Sequence, residues 1–153
     1  MNSNFVKLHQ LLTIAEEILP SFIQEHASVL TGEAGVYMMV SERNSDDSLV
    51  LGKKIGWFPD KDGHLPFMNY AAEKLTRPEG LGDWTSFKTQ NYGQGKYGGR
   101  ISTLYYNLSI SGFTDEKLDH KFGVAVLKVF GNHTAQELAD IEQEFDEYQD
   151  HGK

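Results

Sequence analysis

The stretch GVYMMVSERNSDDSLVLGKKIGWF, residues 35–58, decides the class of the fold. It contains two runs rich in apolar and β-branched residues, and the turn formers Asn, Ser and Asp fill positions 44–47 between them. Two such runs joined by turn formers are typical of a β-hairpin. Because a hairpin pairs its strands antiparallel, the sequence predicts an antiparallel sheet around these residues.

Helices are predicted before and after this hairpin. Apolar residues recur at alternating spacings of three and four from Phe5 to Phe22, which indicates a helix over residues 3–27 that lies on the sheet and kinks or restarts at Pro20. HLPFMNYAAEKL, residues 64–75, has a proline near its first turn and predicts a second helix that ends at residues 77–80. A capping box, Thr134-x-x-Glu137, starts the last helix.

The C-terminal half contains one clear strand and one ambiguous segment. ISTLYYNLSISGF, residues 101–113, has the strongest strand pattern in the chain. In residues 114–131, Leu118, Phe122 and Val126 are spaced as in a helix, whereas Gly123 and the neighbouring valines disfavour one. We predict a strand there and keep the helix as the alternative.

The fold class that follows is α/β in the α+β sense, with an antiparallel sheet flanked by helices. The element order is α-β-β-α-β-(β or α)-α, as in profilin-like domains. A chain of 153 residues forms one domain, 1–153, and 39% hydrophobic content suffices for a core. Without cysteine the chain has no disulfide, thiolate zinc site, iron–sulfur cluster or cysteine nucleophile.

Charge and hydropathy limit the partners. No window approaches ~18 uninterrupted apolar residues and no signal-peptide pattern begins the chain, so we predict no membrane association and a cytoplasmic location. Net charge is −8, yet residues 50–100 carry eight basic and five acidic groups. That excess of three is too weak for nucleic acid, which selects a concentrated basic face, but is compatible with a small anionic ligand.

The stretch YGQGKYGGR, residues 92–100, matches the dinucleotide fingerprint G-x-G-x-x-G. Such a fingerprint must open a helix, and here a β-rich run follows, so we reject a dinucleotide site. Two interpretations stay open for this loop: a mobile loop or bulged strand start, or a lid whose Lys96 and Arg100 meet an anionic ligand. Tyr92 and Tyr97 flank the same region and fit either an aromatic pocket or the core.

Titratable residues give weaker signals. Asp119-His120 or His64 with a nearby carboxylate could perform acid–base chemistry, although such pairs usually lie in solvated turns. Lys74 shares a helix face with other charges and is more often solvated. The six histidines show no metal-ligand spacing, and the acidic turn at residues 60–63 fails the calcium-loop pattern.

The order of features resembles the GlcG/HbpS-like family of small haem-associated and accessory domains. The resemblance rests on an amphipathic first helix, the strand GVYMMVSER with its polar hairpin, Ala72-Glu73-Lys74, Gly98-Gly99, Ile110-Ser111-Gly112 and Asp119-His120. The chain departs from the family in lacking its glycine turn in the hairpin, in the long loop before Gly98 and in the acidic helix after Gly131.

The resemblance implies a three-layer α/β fold, a terminal helix over residues 114–130, frequent oligomerisation and, in some members, tetrapyrrole binding. We therefore predict a non-catalytic small-molecule-binding or sensory domain that forms a homo-oligomer, for an anionic ligand or with haem as a candidate cofactor. The alternatives are an oligomeric assembly protein and a small acid–base enzyme that uses His120 or His64. The predicted ligand-binding residues are Lys96, Arg100, Tyr97, Tyr92, Lys74, His64 and His120.

Overall fold

The computed structural model of the chain describes residues 3–43, 49–78, 80 and 82–151. These residues form four α-helices and a four-stranded sheet. The elements are α1 Ser3–Glu25, β1 Ala34–Glu42, β2 Val50–Trp57, α2 Leu65–Thr76, β3 Arg100–Ser102, β4 Tyr106–Ser111, α3 Glu116–Phe130 and α4 Ala135–Tyr148. Within the described part of the chain, no helix has the length and apolarity needed to cross a bilayer.

The sheet has the strand order β2-β1-β4-β3, and every neighbouring pair is antiparallel. Helices α1 and α3 pack on one face and α2 packs on the other, which gives three layers. The predicted class, an antiparallel sheet flanked by helices, is confirmed. The predicted hairpin is β1 with β2; its turn formers at 44–47 lie outside the described residues.

The two faces of the sheet differ in polarity. Toward α1 and α3 the strands present buried apolar side chains: Val36, Met38, Val40, Ile55, Ile101, Leu108 and Ile110. Toward α2 they present a hydrogen-bonded row in which the Ser102 hydroxyl donates to Asn107 and the Asn107 amide donates to Ser41. The hydrophobic core therefore lies on the α1 and α3 side, since burying apolar area there is the main stabilising term.

Helices α1, α2 and α4 lie close to their predicted positions. Helix α1 continues through Pro20 without restarting, because Leu19 and Phe22 on either side stay buried and offset the one hydrogen bond that proline removes. Helix α2 has its proline in the first turn, as predicted. At α4 both halves of the capping box are present between Thr134 and Glu137.

The strand prediction for residues 114–131 is wrong, because these residues form helix α3. Asp115 caps its first turn, and Gly131 ends it in the left-handed conformation with its N–H donating to the Leu127 carbonyl. Gly123, which counted against a helix, lies where α3 meets the sheet. A Cβ at that position would be 2.9 Å from Ile110 Cδ1. Close packing on the core outweighs the low helix propensity of this glycine and the nearby valines.

The single strand predicted over residues 101–113 is also wrong in extent. Strands β3 and β4 are separated by a turn at residues 103–105, where the Thr103 hydroxyl accepts the Tyr106 N–H at 3.1 Å and Tyr105 is exposed. The turn contains no Gly, Pro, Asn or Asp, so the sequence gives no local signal for it. A threonine hydroxyl does here what an Asn or Asp side chain usually does.

Residues 84–86 follow β3 along its outer side. The Ser86 N–H donates to the Arg100 carbonyl at 3.0 Å, and the Ser102 N–H donates to the Trp84 carbonyl at 2.9 Å. Helix α4 covers this segment, because the Glu144 carboxylate accepts the Thr85 N–H at 2.8 Å. The outer edge of β3 is thereby closed, and the segment before it is fixed by buried side chains.

Candidate functional site

Lys74 is the centre of a buried polar cluster at the end of α2. Its ammonium donates to the carbonyl oxygens of Gly98, at 3.1 Å, and Ile110, and it lies 3.8 Å from Asp119 Oδ2. The side chain is almost fully buried. A Cβ at Gly99 would lie 2.7 Å from Lys74 Nζ, so the glycine is required by this approach and by its φ of +117°.

The pKa values of this pair reflect its burial. Burial lowers the pKa of Lys74, and the nearby Asp119 partly opposes that shift. Burial raises the pKa of Asp119 to about 7, against the opposing effects of Lys74 and of the Phe113 N–H, which donates to Asp119 Oδ1 at 3.1 Å. Each of the short motifs at 72–74, 98–99, 110–112 and 119–120 contributes one residue to these contacts, namely Lys74, Gly98, Ile110 and Asp119. The contacts anchor the chain before β3.

Arg77 fixes the segment that carries the tyrosines. Its guanidinium is paired with Glu73 and donates to the carbonyl oxygens of Ser86 and Tyr97, both at 2.9 Å. Arginine suits this position because its planar fork offers several donors in fixed directions. The predicted lid is therefore held at Tyr97 by a buried cation.

The structure does not bring Lys96 and Arg100 together at a described cleft. Neither side chain lines any of four open clefts of about 300 to 490 Å³ that are formed by described residues. Arg100 is completely buried on the α2 face of the sheet, opposite Ser109. Lys96 is partly buried and pairs with Asn91 through two backbone hydrogen bonds of 2.8 and 2.9 Å.

The two predicted histidines lie at separate places. His120 is buried between α3 and α4, where its Nε2 is 3.1 Å from Glu142 Oε1 and its ring stacks on Phe145 at 4.1 Å between centroids. His64 directly precedes α2 and stacks on Tyr37 at 6.2 Å. Neither imidazole lines one of the four clefts. His120 has the carboxylate partner that an acid–base role needs, and in this position it joins α3 to α4.

Tyr92 and Tyr97 do lie together at a cleft, of about 490 Å³, which we call the tyrosine cleft. Their ring centroids are 5.4 Å apart. The Tyr92 hydroxyl donates to the Glu116 carboxylate; burial and then this bond raise the pKa of Tyr92. The lining consists of Val29, Thr31, Glu33, Tyr92, Tyr97, Thr114, Asp115, Glu116, Lys117 and Leu118.

The tyrosine cleft is acidic, although the sequence around its tyrosines is basic. Three carboxylates line it, from Glu33, Asp115 and Glu116, against the single ammonium of Lys117. That ammonium lies 3.5 Å from Asp150. Burial alone would raise the pKa of Glu33, but hydrogen bonds from Thr114 and Thr31 lower it to about 2, so this carboxylate stays charged.

Sequence reasoning missed Glu33, Asp115 and Glu116. These carboxylates are far from the tyrosines in sequence, since Glu33 precedes β1 and the other two begin α3. Only the tertiary structure brings them beside the tyrosine rings. Two of them had a usable signal, because an Asp followed by Glu is typical of a helix start, and that signal was lost when residues 114–131 were assigned to a strand.

The residues of the tyrosine cleft do not fit haem. Haem carries two propionates, which three lining carboxylates would repel. No histidine, cysteine or methionine lines the cleft, and of its two tyrosines, a residue type that can also ligate haem iron, Tyr92 has its hydroxyl bonded to Glu116. Within the described part of the chain, no group of three or more His, Asp or Glu residues is arranged to hold a metal ion.

We compared the chain with protein-family models, with curated proteins and with solved structures, and it matches none of them. The resemblance to the GlcG/HbpS-like family accordingly stays a prediction. The resemblance implies a terminal helix over residues 114–130; residues 116–130 form a helix, and α4 follows it.

Proposed function

We propose that this protein is a non-catalytic small-molecule-binding domain and that its ligand is a flat organic cation held in the tyrosine cleft. The observation that carries the proposal is the position of two paired tyrosine rings beside three carboxylates in a cleft of about 490 Å³. That volume falls in the usual range for small-ligand sites.

The chemistry of the lining selects the class of ligand. An aromatic face attracts a cation through its quadrupole, and this attraction is worth about 0.5–1 kcal/mol at an exposed site. The carboxylates of Glu33 and Glu116 add a Coulomb attraction that falls as salt is added. The sign is opposite to that of the anionic ligand expected from the basic middle third of the sequence, because the lining charges come from other parts of the chain.

The backbone at Tyr97, on one side of the cleft, is anchored by hydrogen bonds, which favours binding. Arg77 holds the Tyr97 carbonyl and Lys74 holds the Gly98 carbonyl, so two buried cations fix consecutive residues. A site that is already ordered loses less conformational entropy when a ligand binds.

Isothermal titration calorimetry with matched probes tests the proposal. Phenyltrimethylammonium should bind, and benzyl alcohol and benzoate, which carry a similar ring with no charge or a negative one, should bind more weakly or not at all. Glu116→Gln keeps an acceptor for Tyr92 and removes the charge, so we expect it to weaken cation binding about fivefold. Glu147→Gln removes an exposed carboxylate elsewhere and serves as the control. Equal binding of the cation and benzoate would refute the proposal.

The homo-oligomeric state, the cytoplasmic location, the assembly-protein alternative and the acid–base alternative stay predictions. Static light scattering tests the oligomer. For the acid–base alternative the relevant feature is the contact between His120 and Glu142. An activity that His120→Gln abolishes without loss of folding would favour it over the binding proposal.

A further inference from the structure

Strand β2 forms an edge of the sheet that no described segment covers. It pairs with β1 on one side, and among the described elements it also packs against α1, on one face. In an antiparallel pair every second residue of an edge strand directs its N–H and C=O away from its neighbour. Along the eight residues of β2 these groups form a row that is open to another strand.

The surroundings of this edge suit an extended chain. Trp57, at the end of β2, is 62% exposed. It lines two clefts, of about 330 and 450 Å³, that also share Ala34. Helix α2 packs on β1, β3 and β4, and the side chain of Lys54 in β2 is exposed. An added strand would have backbone partners along its length and an aromatic side chain at one end, which are the two parts of recognition by strand addition.

The charge of β2 selects the partner. Lys53 and Lys54 are consecutive and exposed, so their side chains point to opposite faces of the sheet. Lys53 is paired with Glu16 of α1, and Lys54 has no carboxylate partner among the described residues. In a protein of net charge −8, this is a basic edge that acidic side chains on an added strand would complement.

Pairing of β2 with the β2 strand of a second copy of this chain is less favourable than pairing with an acidic strand. Two copies paired along β2 would be related by a two-fold axis, which sets residues of the same face opposite each other. Two such registers align most of β2 with β2 of the other copy. In one of them Lys53 lies opposite Lys53 of the second copy, and in the other Lys54 lies opposite Lys54. Like charges directly opposite each other destabilise a strand pair. The lysines thus disfavour self-pairing and leave the edge available to a chain of opposite charge.

We propose that β2 accepts an extended acidic segment of a partner protein as a fifth, antiparallel strand of the sheet. The acidic side chains of that segment lie opposite Lys53 and Lys54, and an apolar side chain contacts Trp57. This site is separate from the tyrosine cleft, so either proposal can fail without the other.

Peptides as long as β2 test this proposal on the full chain. An eight-residue peptide of valines with two consecutive glutamates at its centre, one for each face of the sheet, should bind about tenfold more tightly than its counterpart with two consecutive lysines there, measured by fluorescence anisotropy at low salt. Lys54→Glu should weaken binding of the acidic peptide about fivefold. Lys61→Glu, an exposed charge reversal in the turn after β2, should leave it unchanged.

The location of binding is read by amide hydrogen exchange. In the complex, alternate amides of β2 should become protected, and N-methylation of alternate peptide residues should abolish binding because the methylated amides cannot donate. Equal affinity for the acidic and basic peptides would overturn the proposal, as would binding that leaves the β2 amides unprotected. Protection of β2 that depends on protein concentration without peptide would overturn it in favour of a second copy.

Discussion

The two edge strands of the sheet, β3 and β2, differ in whether another segment covers their outer side. The outer edge of β3 is followed by residues 84–86, which α4 covers through Glu144. The outer edge of β2 meets no described segment and carries two exposed lysines. An unpaired edge is a liability that folded proteins cover or charge. This chain covers one edge with its own backbone, and the other, which no described segment covers, carries charge.

Breaking the buried pair of Lys74 and Asp119, which holds the residues before β3, should have the largest effect on the stability of the protein. At pH 8, above the pKa of Asp119, Asp119→Ala leaves the Lys74 ammonium buried without its ionised carboxylate partner, and we expect it to cost about 3–5 kcal/mol of unfolding free energy. The double variant Lys74→Met with Asp119→Leu removes both charges and should recover most of that loss. Urea unfolding measures both. A single variant as stable as the parent protein would show that the pair does not hold the residues before β3.

The same pair predicts a pH dependence. The folded protein holds the pKa of Asp119 near 7, above its ordinary value of 3.8. Between these values the folded state keeps a proton that the unfolded chain has lost, so this contribution to stability falls as the pH rises from about 4 to about 7. The stability of the parent protein relative to Asp119→Asn, which cannot titrate, should fall over that range. A difference that grows with pH would show that the carboxyl is instead ionised in the fold.

Removing the carboxylate that covers the closed edge should have a smaller effect. Glu144 accepts from the Trp84 N–H at 3.1 Å and from the Thr85 N–H and hydroxyl at 2.8 and 3.0 Å. Glu144→Ala leaves these donors without that acceptor, at a cost of about 1–3 kcal/mol. Asp146→Ala, an exposed acid on the same helix, should change stability little. Equal effects of the two substitutions would contradict the account of this edge.

The smallest effect on stability should come from the open edge. Replacing Lys53 and Lys54 together by threonine removes one exposed ion pair, worth about 0–1 kcal/mol, and keeps good strand formers. Self-association should nevertheless increase, because the charges that oppose edge pairing are gone. Sedimentation velocity over a range of concentrations measures this. A double variant that self-associates no more than the parent protein would indicate that another segment already covers the outer edge of β2.

The sequence predicts the layers of this fold better than its details. Local sequence patterns predict four of the elements. Turn formers between two β-rich runs indicate the hairpin, helical spacing of apolar residues indicates α1, a proline in the first turn indicates α2 and a capping box indicates α4. Such patterns depend little on contacts with residues that are distant in sequence. Helix α3 was missed because Gly123 satisfies a contact with Ile110, which is remote in sequence. The turn between β3 and β4 was missed because a threonine hydroxyl replaces the usual turn formers.

The candidate site shows a similar division. Tyr92 and Tyr97 were identified from their position in a glycine-rich loop, and they do line a cleft. The charge around them was not predictable from neighbours in sequence, since Glu33 and Glu116 come from the segments before β1 and at the start of α3. Lys74 and Arg100 are among the predicted ligand-binding residues, Arg100 for its place beside the glycine-rich loop, and the fold buries both. Charged residues that hold backbone carbonyls look the same in a sequence as charged residues that face solvent.

Amide hydrogen exchange in the free protein tests the central claim, that β3 is closed and β2 is open, most directly. Resolved residue by residue by NMR, the Ser86 and Ser102 amides should be protected to a degree that approaches global unfolding, because each donates across the closed edge. Alternate amides of β2 should exchange faster than these by orders of magnitude, and the amides between them, which face β1, should be protected. Uniform protection along the whole of β2 would contradict the claim.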